Sequence, residues 1–395
     1  MAVYSLAISE SDTLVRQAKA EGIPLVSRAQ LLGAIMSPYP TRVAVSGSHG
    51  KSTTTAIVEH ILAVAGRAHT AICGATLFSG SAYFDGGGEV VVAEACEYRD
   101  SFLSLCPTHQ IVTSVALDHT DYFPSLEAVR RSFLRALDSV HTAIINLDDE
   151  VSASISEEIS GAKIDTPPGE SGKKREKTVL TYGKSQGADY RIHTVTKDGC
   201  LTRFSITHEG GSYALTTPLI GEFNLYNITA AVALADRLGI ARESIEAAVE
   251  SFRGVERRQS LLGYIGDSAV YYDYAHHPDE LRSLISALKE RYGTLTLVFR
   301  PHTYSRTKSL WSEFVAALSQ ADGVILLDIY PARESPLDGV TSQRLAECID
   351  GAIYCHDADG AAELATARGH GAIALVGAGE VEAIKSRLTE KIKHG

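Results

Sequence analysis

Residues 41 to 66 read TRVAVSGSHGKSTTTAIVEHILAVAG. A short apolar run ends in a loop with two glycines, then Lys-Ser-Thr, then an amphipathic helical pattern. No other feature constrains the chain as strongly. A strand, a glycine-bearing loop and a helix start in succession let the backbone approach phosphate oxygens, with the free N–H groups and dipole of the helix facing them. Gly47 and Gly50 admit the close approach, with Ser48 and His49 between them. Lys51 is placed to reach outer phosphates, and Ser52 or Thr53 to ligate magnesium. The match to GxxxxGK[ST] is partial: Val45 stands where the first glycine would fall, so the loop is GxxGK[ST]. The simpler local explanation is a Ser or Thr capping a helix. It leaves the strand and both glycines unexplained.

Alternation continues on either side. Residues 1–39 read strand, helix, strand, helix: AVYSLA, then SESDTLVRQAKAEG with its Ser/Asp start and final glycine, then IPLVS and RAQLLGAIM. From 41 to about 256 the strand candidates RVAVS, EVVVAEA, QIVTSVAL and TAIINL are interleaved with helical patterns such as SLEAVRRSFLRALDSV. That order predicts a parallel sheet covered by helices. Residues 155–178, polar and rich in Gly, Pro and Lys, read as a solvated loop. DYRIHTV, TRFSITH and SYALTT predict a small antiparallel sheet, and NLYNITAAVALADRLGI a helix. Beyond 257, AVYYDYA, TLTLVFR, GVILLDIY and GAIALVGAG alternate with HPDELRSLISALKERYG and SLWSEFVAALSQAD. The expected fold class is α/β. A partial βαβα N-terminal domain (1–39) precedes a central P-loop parallel-sheet domain (40–256), and a C-terminal Rossmann-like α/β domain (257–395) follows.

The net charge of −11 argues against a nucleic-acid partner. No basic leader with an apolar core and no apolar run of spanning length occurs, so no membrane association is expected. The six cysteines show neither CxxC nor zinc-like spacing and read as reduced thiols of a cytoplasmic protein.

In a parallel α/β sheet, ligands bind beyond the carboxyl ends of the strands. EVVVAEA ends near Glu94, and QIVTSVAL is followed by Asp118 and His119. A carboxylate and an imidazole there can complete a metal shell beside phosphates. Each alone is more simply a structural residue. Their shared place beside the glycine loop is what makes them candidates.

Taken together, the motifs resemble those of the Mur ligases. The loop GxxGKSTTT, VAEACEYRDSFL, LDHTDYF, NLYNITAA, GVERR, DYAHHPDE and RPHTYSRT stand in the family's order across residues 41 to about 345. DYAHHP and PHTYSRT are specific to the branch that joins UDP-N-acetylmuramate and L-alanine, and to its near relatives. The resemblance implies an amide ligase using ATP and Mg2+ through an acyl phosphate, with domain closure around ATP. It places Lys51 on the β/γ-phosphates, Ser52 on magnesium, and Glu94 and His119 on the metal. Asn227 would meet adenine. Arg258 and Asp273 would meet ATP phosphate and ribose, and Tyr274, His276, His277, His302 and Arg306 the substrates. Lys51→Ala is expected to abolish turnover with little loss of fold, the loop being exposed.

The chain also departs from the family pattern. The family opens with a full uridine-nucleotide domain and a GxGxxG turn. Here about 40 residues precede the loop, and the nearest such motif, VGAGEVE (376–382), lacks the third glycine. Residues 1–39 look like the second half of that domain. Their open sheet edge is a candidate surface for a partner or for self-association. Ser114 stands where relatives often carry Asn, and Phe223 where many carry His. Two alternatives follow: the same chemistry on another carboxylate and amine, such as recycled peptide joined to UDP-muramic acid, or a nucleotide-binding subunit inactive alone. A P-loop kinase would leave DYAHHP and PHTYSRT without a role.

Overall fold

A computed structural model describes the chain except residues 10, 78–79, 166–173, 199–200, 369, 378–380, 390 and 393–395. These lie outside everything below, and with them Cys200 and part of VGAGEVE. The chain forms two compact units, Met1–Leu219 with Asn224–Arg253, and Ile220–Phe223 with Gly254–Gly395.

The first unit opens with β1 (Ala2–Tyr4), α1 (Thr13–Ala20), β2 (Leu25–Ser27) and α2 (Arg28–Met36). The two strands pair in parallel with each other. Asp12 caps α1 by accepting from Leu14 N–H, and Ser27 closes a capping box with Gln30 on α2. Gly33 lets α2 pack backbone against backbone: a Cβ there would lie 1.9 Å from the Ser104 carbonyl oxygen.

The main sheet is built from β3 (Thr41–Ser46), β4 (His69–Ile72), β5 (Tyr83–Asp85), β6 (Val90–Glu94), β7 (His109–Val112) and β8 (Thr142–Asn146). A short antiparallel pair, β9 (Lys163–Asp165) and β10 (Lys174–Glu176), stands apart. Then β11 (Thr178–Gly183), β12 (Tyr190–Asp198), β13 (Leu201–His208) and β14 (Gly211–Thr217) complete a ten-stranded sheet of order β14-β13-β12-β11-β8-β7-β3-β6-β4-β5. Strands β11, β8, β7, β3, β6 and β4 run parallel. Val43, Val45, Val91, Val92, Ile111 and Ile144 are all fully buried. Consecutive buried residues mean that both faces of the sheet are covered, which is why these strands read as apolar runs. The helices of this unit are α3 (Lys51–Val64), α4 (Leu126–Leu137), α5 (Glu150–Ile159), α6 (Glu222–Arg237) and α7 (Arg242–Ser251).

Three expectations change here. QIVTSVAL is strand only through Val112; Thr113 N–H then turns to the Ser46 carbonyl (3.0 Å) and Val115 N–H to the Asp149 carboxylate (3.0 Å). The antiparallel strands are not a separate sheet, because β12 pairs in parallel with β11 and so extends the main one. Residues 155–178 are not all loop: α5 runs to Ile159, β9 and β10 follow, and Lys177 is buried. Its ammonium donates to the carbonyls of Leu137 and Asp138 and so closes the C-terminus of α4.

The second unit holds β15 (Ser260–Ile265), β16 (Ser268–Asp273), β17 (Leu295–Arg300), β18 (Gly323–Leu326), β19 (Ile353–Tyr354) and β20 (Ala372–Gly377), in the order β15-β16-β20-β17-β18-β19. Only the β15 pairing is antiparallel. Its helices are α8 (Pro278–Tyr292), α9 (Tyr304–Ser309), α10 (Trp311–Leu318), α11 (Ser342–Glu347), α12 (Ala358–Arg368) and α13 (Glu382–Thr389). Leu297 and Phe299 enter one apolar cluster and Val298 the other, so this sheet too is buried on both faces. Among the described residues no helix is long and apolar enough to cross a membrane. Cys73, Cys96, Cys106, Cys348 and Cys355 are free thiols.

Candidate functional site

β3 lies between β6 and β7, and the glycine loop leaves its carboxyl end. Gly47 has φ 138°, and a Cβ there would sit 2.0 Å from Thr113 Oγ1. The loop is laced to the segment after β7. Ser48 N–H donates to the Ser114 carbonyl (2.9 Å), Ala116 N–H to Ser48 Oγ (2.8 Å), and Thr113 Oγ1 to the His49 carbonyl. Gly50 is the N-cap of α3 in the left-handed conformation and makes no side-chain cap. The first N–H groups of α3 therefore face the loop without a protein acceptor from the cap residue, as an anion site requires. A Cβ on Gly50 would lie 2.5 Å from Asn227 Oδ1. Asn227, buried on α6, accepts from Thr54 Oγ1 (3.3 Å) and donates to Asn224 Oδ1 (3.1 Å). It thus lies directly behind the loop. Thr53 is half-buried in the first turn of α3.

Acidic groups gather beside the loop. Ser52 Oγ donates to Glu94 Oε2 (2.9 Å), which also accepts from Gly74 N–H (2.8 Å). With its proton committed to Glu94, the Ser52 oxygen keeps lone pairs for a cation. Glu97, three residues beyond the end of β6, has no local signature in the sequence that marks it as a site residue. Glu97 is 2% exposed and pairs with Lys51 Nζ at 3.0 Å. Lys51 Nζ also donates to the Gly47 and Ser48 carbonyls. Burial alone would push the Lys51 ammonium down, but the charges of Glu97, Cys96 and Glu94 outweigh it and raise the pKa above the ordinary range. His119 Nε2 stands 3.8 Å from Glu97 Oε1 and 3.9 Å from Asp118 Oδ2, with its ring 4.7 Å from that of Tyr98. Oxygen donors from Ser52 and Glu97, with Glu94 behind Ser52, beside the start of α3 suit a hard divalent cation. The imidazole of His119 is compatible with it.

In the second unit the remaining candidates sit at the carboxyl ends of β16 and β17. Asp273 is buried; its carboxylate accepts from Gln259 N–H (2.7 Å) and Ala275 N–H (2.6 Å). The Arg258 guanidinium lies over the Tyr274 ring at 5.3 Å. From there rings follow one another, Tyr274 to His276 at 5.4 Å, His276 to His302 at 5.7 Å and His302 to Tyr330 at 5.7 Å. Arg306 Nη1 is 3.2 Å from His302 Nδ1, and Arg300 lies over Tyr330 at 5.3 Å. The result is a row of rings edged by guanidinium groups. It would offer cations to carboxylate or phosphate oxygens and apolar ring faces to the rest of a substrate. Arg300 and Tyr330 went unnoticed in the sequence, because Tyr330 joins the row only through a backbone bridge to His302. His277 has a separate duty as the N-cap of α8, in a capping box with Glu280.

Burial pushes the Asp273 carboxyl up from 3.8 to about 6, against the lowering effects of Arg258 and the two N–H donors. A carboxyl raised on folding lends stability that is complete below pH 4 and is lost as pH rises through 6. Asp273→Asn should remove this component. In urea unfolding at pH 4 and pH 7, wild type should lose about 2 kcal/mol relative to the variant across that interval. Parallel pH profiles for the two proteins would exclude it.

Compared with known proteins, residues 45–235 match the Mur ligase middle domain and residues 257–379 the Mur ligase, glutamate ligase domain. The chain is 34% identical over 406 residues to the UDP-N-acetylmuramate–L-alanine ligase of Caldanaerobacter subterraneus subsp. tengcongensis, covering 100% of this chain and 85% of that protein. To the Aquifex aeolicus protein of the same name it is 35% identical over 362 residues, 90% of this chain and 76% of the relative. The crystal structure of UDP-N-acetylmuramate-alanine ligase from Thermotoga maritima aligns with a TM-score of 0.78 over 98% of this chain and 84% of that one; at 24% identity this is a likeness of fold.

Proposed function

The chain belongs to the Mur ligase family, and from that premise we propose that it joins L-alanine to the carboxylate of UDP-N-acetylmuramate in peptidoglycan precursor synthesis. It is an ATP-dependent ligase. The substrate carboxylate attacks the γ-phosphorus of ATP and ADP leaves; the amine then attacks the carbonyl carbon of the acyl phosphate, phosphate leaves, and the amine nitrogen loses a proton as the amide forms. The observation that carries the reading is the glycine loop with Lys51, Ser52, Glu94, Glu97 and His119 gathered at the ends of three adjacent strands.

Each residue has a task. The loop N–H groups and the start of α3 hold the phosphates, while Gly47 and Gly50 keep side chains out of their way. Lys51, released from Glu97, offsets charge on the transferring phosphoryl group. Ser52, Glu97 and His119 would hold Mg2+, and Glu94, expected from the sequence to hold the metal as well, would instead orient Ser52, since its Oε2 already accepts from Ser52 Oγ and Gly74 N–H. When bound, the metal screens the phosphate oxygens from the incoming carboxylate. Asn227, behind the loop, would meet adenine. In residues 257–395, Arg258 and Asp273 would meet ATP, and Tyr274, His276, His277, His302 and Arg306 the carboxylate and amine substrates. Residues 40–256 are the ATP-binding domain in this reading, and residues 1–39 belong to the UDP-substrate domain. With nucleotide and amino-acid substrates of this kind, the proposed location is the cytoplasm.

Phosphate release from ATP and Mg2+ should require UDP-N-acetylmuramate and L-alanine together, with a product mass equal to their sum less one water. Release that ignores both substrates, or that needs a different carboxylate or amine, sinks the proposed substrate pair.

A further inference from the structure

The turn that presents Glu97 is built against its own backbone preference. Arg99 (φ 50°, ψ 39°) and Asp100 (φ 57°, ψ 23°) are successive non-glycine residues in the left-handed region. Such residues persist there only where their surroundings over-determine them. The Asp100 side chain supplies much of that determination. One carboxylate oxygen accepts from the Ser132 hydroxyl on α4. The other accepts from Arg135 Nη2 (2.6 Å), also on α4, and from the Tyr122 hydroxyl (2.8 Å) in the loop after β7. On the main chain, Asp100 N–H donates to the Glu97 carbonyl (2.9 Å).

The loop after β7 is the one that carries His119, and the His119 carbonyl accepts from Tyr122 N–H (2.8 Å). Tyr98, next to Glu97, donates its hydroxyl to Asp121 of the same loop (2.8 Å). Asp100 therefore fastens the Glu97 loop to the His119 loop, and both to α4. The turn is braced from outside as well: Arg99 Nη1 donates to the Leu6 carbonyl (2.9 Å), and α2 abuts Ser104 through Gly33.

We propose that Asp100 is a positioning residue: by bridging these three elements it sets the separation of Glu97 and His119, and with it the affinity of the cation pocket beside the phosphate loop. It touches no substrate. The proposal rests on the reading of Glu97 and His119 as pocket groups, so the test must separate the two. Outer groups that orient metal ligands are worth about 10- to 100-fold in metal affinity.

The probe is Mn2+, titrated in the presence of ADP and followed by water proton relaxation, a binding measurement independent of turnover. Asp100→Ala loses both the clamp and a residue type tolerant of positive φ, and should bind Mn2+ about 10- to 100-fold more weakly. Asp100→Asn keeps an acceptor oxygen and tolerates the left-handed conformation, so it should fall between alanine and wild type. In the ligation assay Asp100→Ala should raise the KM for metal more than it lowers kcat. Wild-type Mn2+ affinity in Asp100→Ala, alongside lost affinity in Glu97→Gln, overturns the proposal and leaves the pocket reading standing. Wild-type affinity in Glu97→Gln overturns the pocket reading itself. Should Asp100→Ala not fold, Asp100→Asn decides alone: weakened Mn2+ binding supports the proposal and wild-type binding defeats it.

Discussion

Replacing Lys51 by alanine should lower ATP-dependent ligation by about 10²–10³-fold or more, the usual loss when one preorganised charge is removed from a developing anion. The variant should also be less stable, contrary to the expectation of an exposed loop. Lys51 is not a free surface cation: its side chain is 14% exposed and its ammonium faces Glu97, which is 2% exposed. Removing the lysine leaves a buried carboxylate without its partner. For a fully buried pair that costs 3–5 kcal/mol. Lys51 is partly reached by water and His119 stands near Glu97, so roughly 2–3 kcal/mol is expected here. The two effects separate in a double variant. Lys51→Ala with Glu97→Gln removes both charges and should recover most of the stability while turnover stays lost. Urea unfolding and initial rates on wild type, Lys51→Ala, Glu97→Gln and the double variant check this. Wild-type turnover in Lys51→Ala would falsify the phosphate-loop assignment, and unchanged stability in that single variant would show that the Lys51–Glu97 pair is energetically idle.

The same pair shows where sequence reasoning runs out. Lys51 was legible because strand, glycine loop and helix are written in consecutive residues, and each step has a local cause. Glu94 was legible as the last residue of an apolar strand beside that loop. Glu97 was not, since its place is set by a turn held in the left-handed region by Ser132, Arg135 and Tyr122, which lie 22 to 35 residues away in sequence. No local pattern announces a conformation that distant side chains impose. The end of β7 was misjudged for a related reason. Thr113 to Ala116 are apolar enough for a strand, yet their backbone groups are claimed by Ser46 at the end of β3, by Ser48 of the glycine loop and by the Asp149 carboxylate. In the second unit, β16 and β17 could be read from their buried runs, and the motifs after them pointed to Tyr274, His276 and His302. Tyr330 could not be added, because its neighbourhood exists only once β18 lies beside β17. The antiparallel strands β12 to β14 were visible as strands, but not their continuity with the main sheet, which rests on one short parallel pairing of β11 with β12.

Gly47→Ala should be almost as damaging as loss of Lys51, by a steric route. The new Cβ would sit 2.0 Å from Thr113 Oγ1 and 3.0 Å from the backbone nitrogens of Thr113 and Ser114, at a φ of 138°. The hydroxyl is not free to turn away, because its one proton is shared between the carbonyls of His49 and, at 3.2 Å, Ser46. The backbone nitrogens cannot move without dragging the end of β7. The loop itself must shift, taking with it the N–H groups proposed to hold the phosphates. A shift of about 1 Å in such a site is enough for a loss near 100-fold, so the KM for ATP should rise by at least about that factor. Stability should fall by about 2–4 kcal/mol, from strain at a positive φ added to overpacking. Gly66→Ala is the control. Gly66 also has a positive φ, 66°, but a Cβ there meets nothing within 4 Å. That variant carries backbone strain alone and should lose about 1 kcal/mol with nucleotide binding intact. ADP titration by calorimetry on both variants distinguishes the causes. Equal, small effects at the two positions would mean that the loop tolerates a side chain at Gly47 and that its close approach to Thr113 is not what shapes the phosphate site.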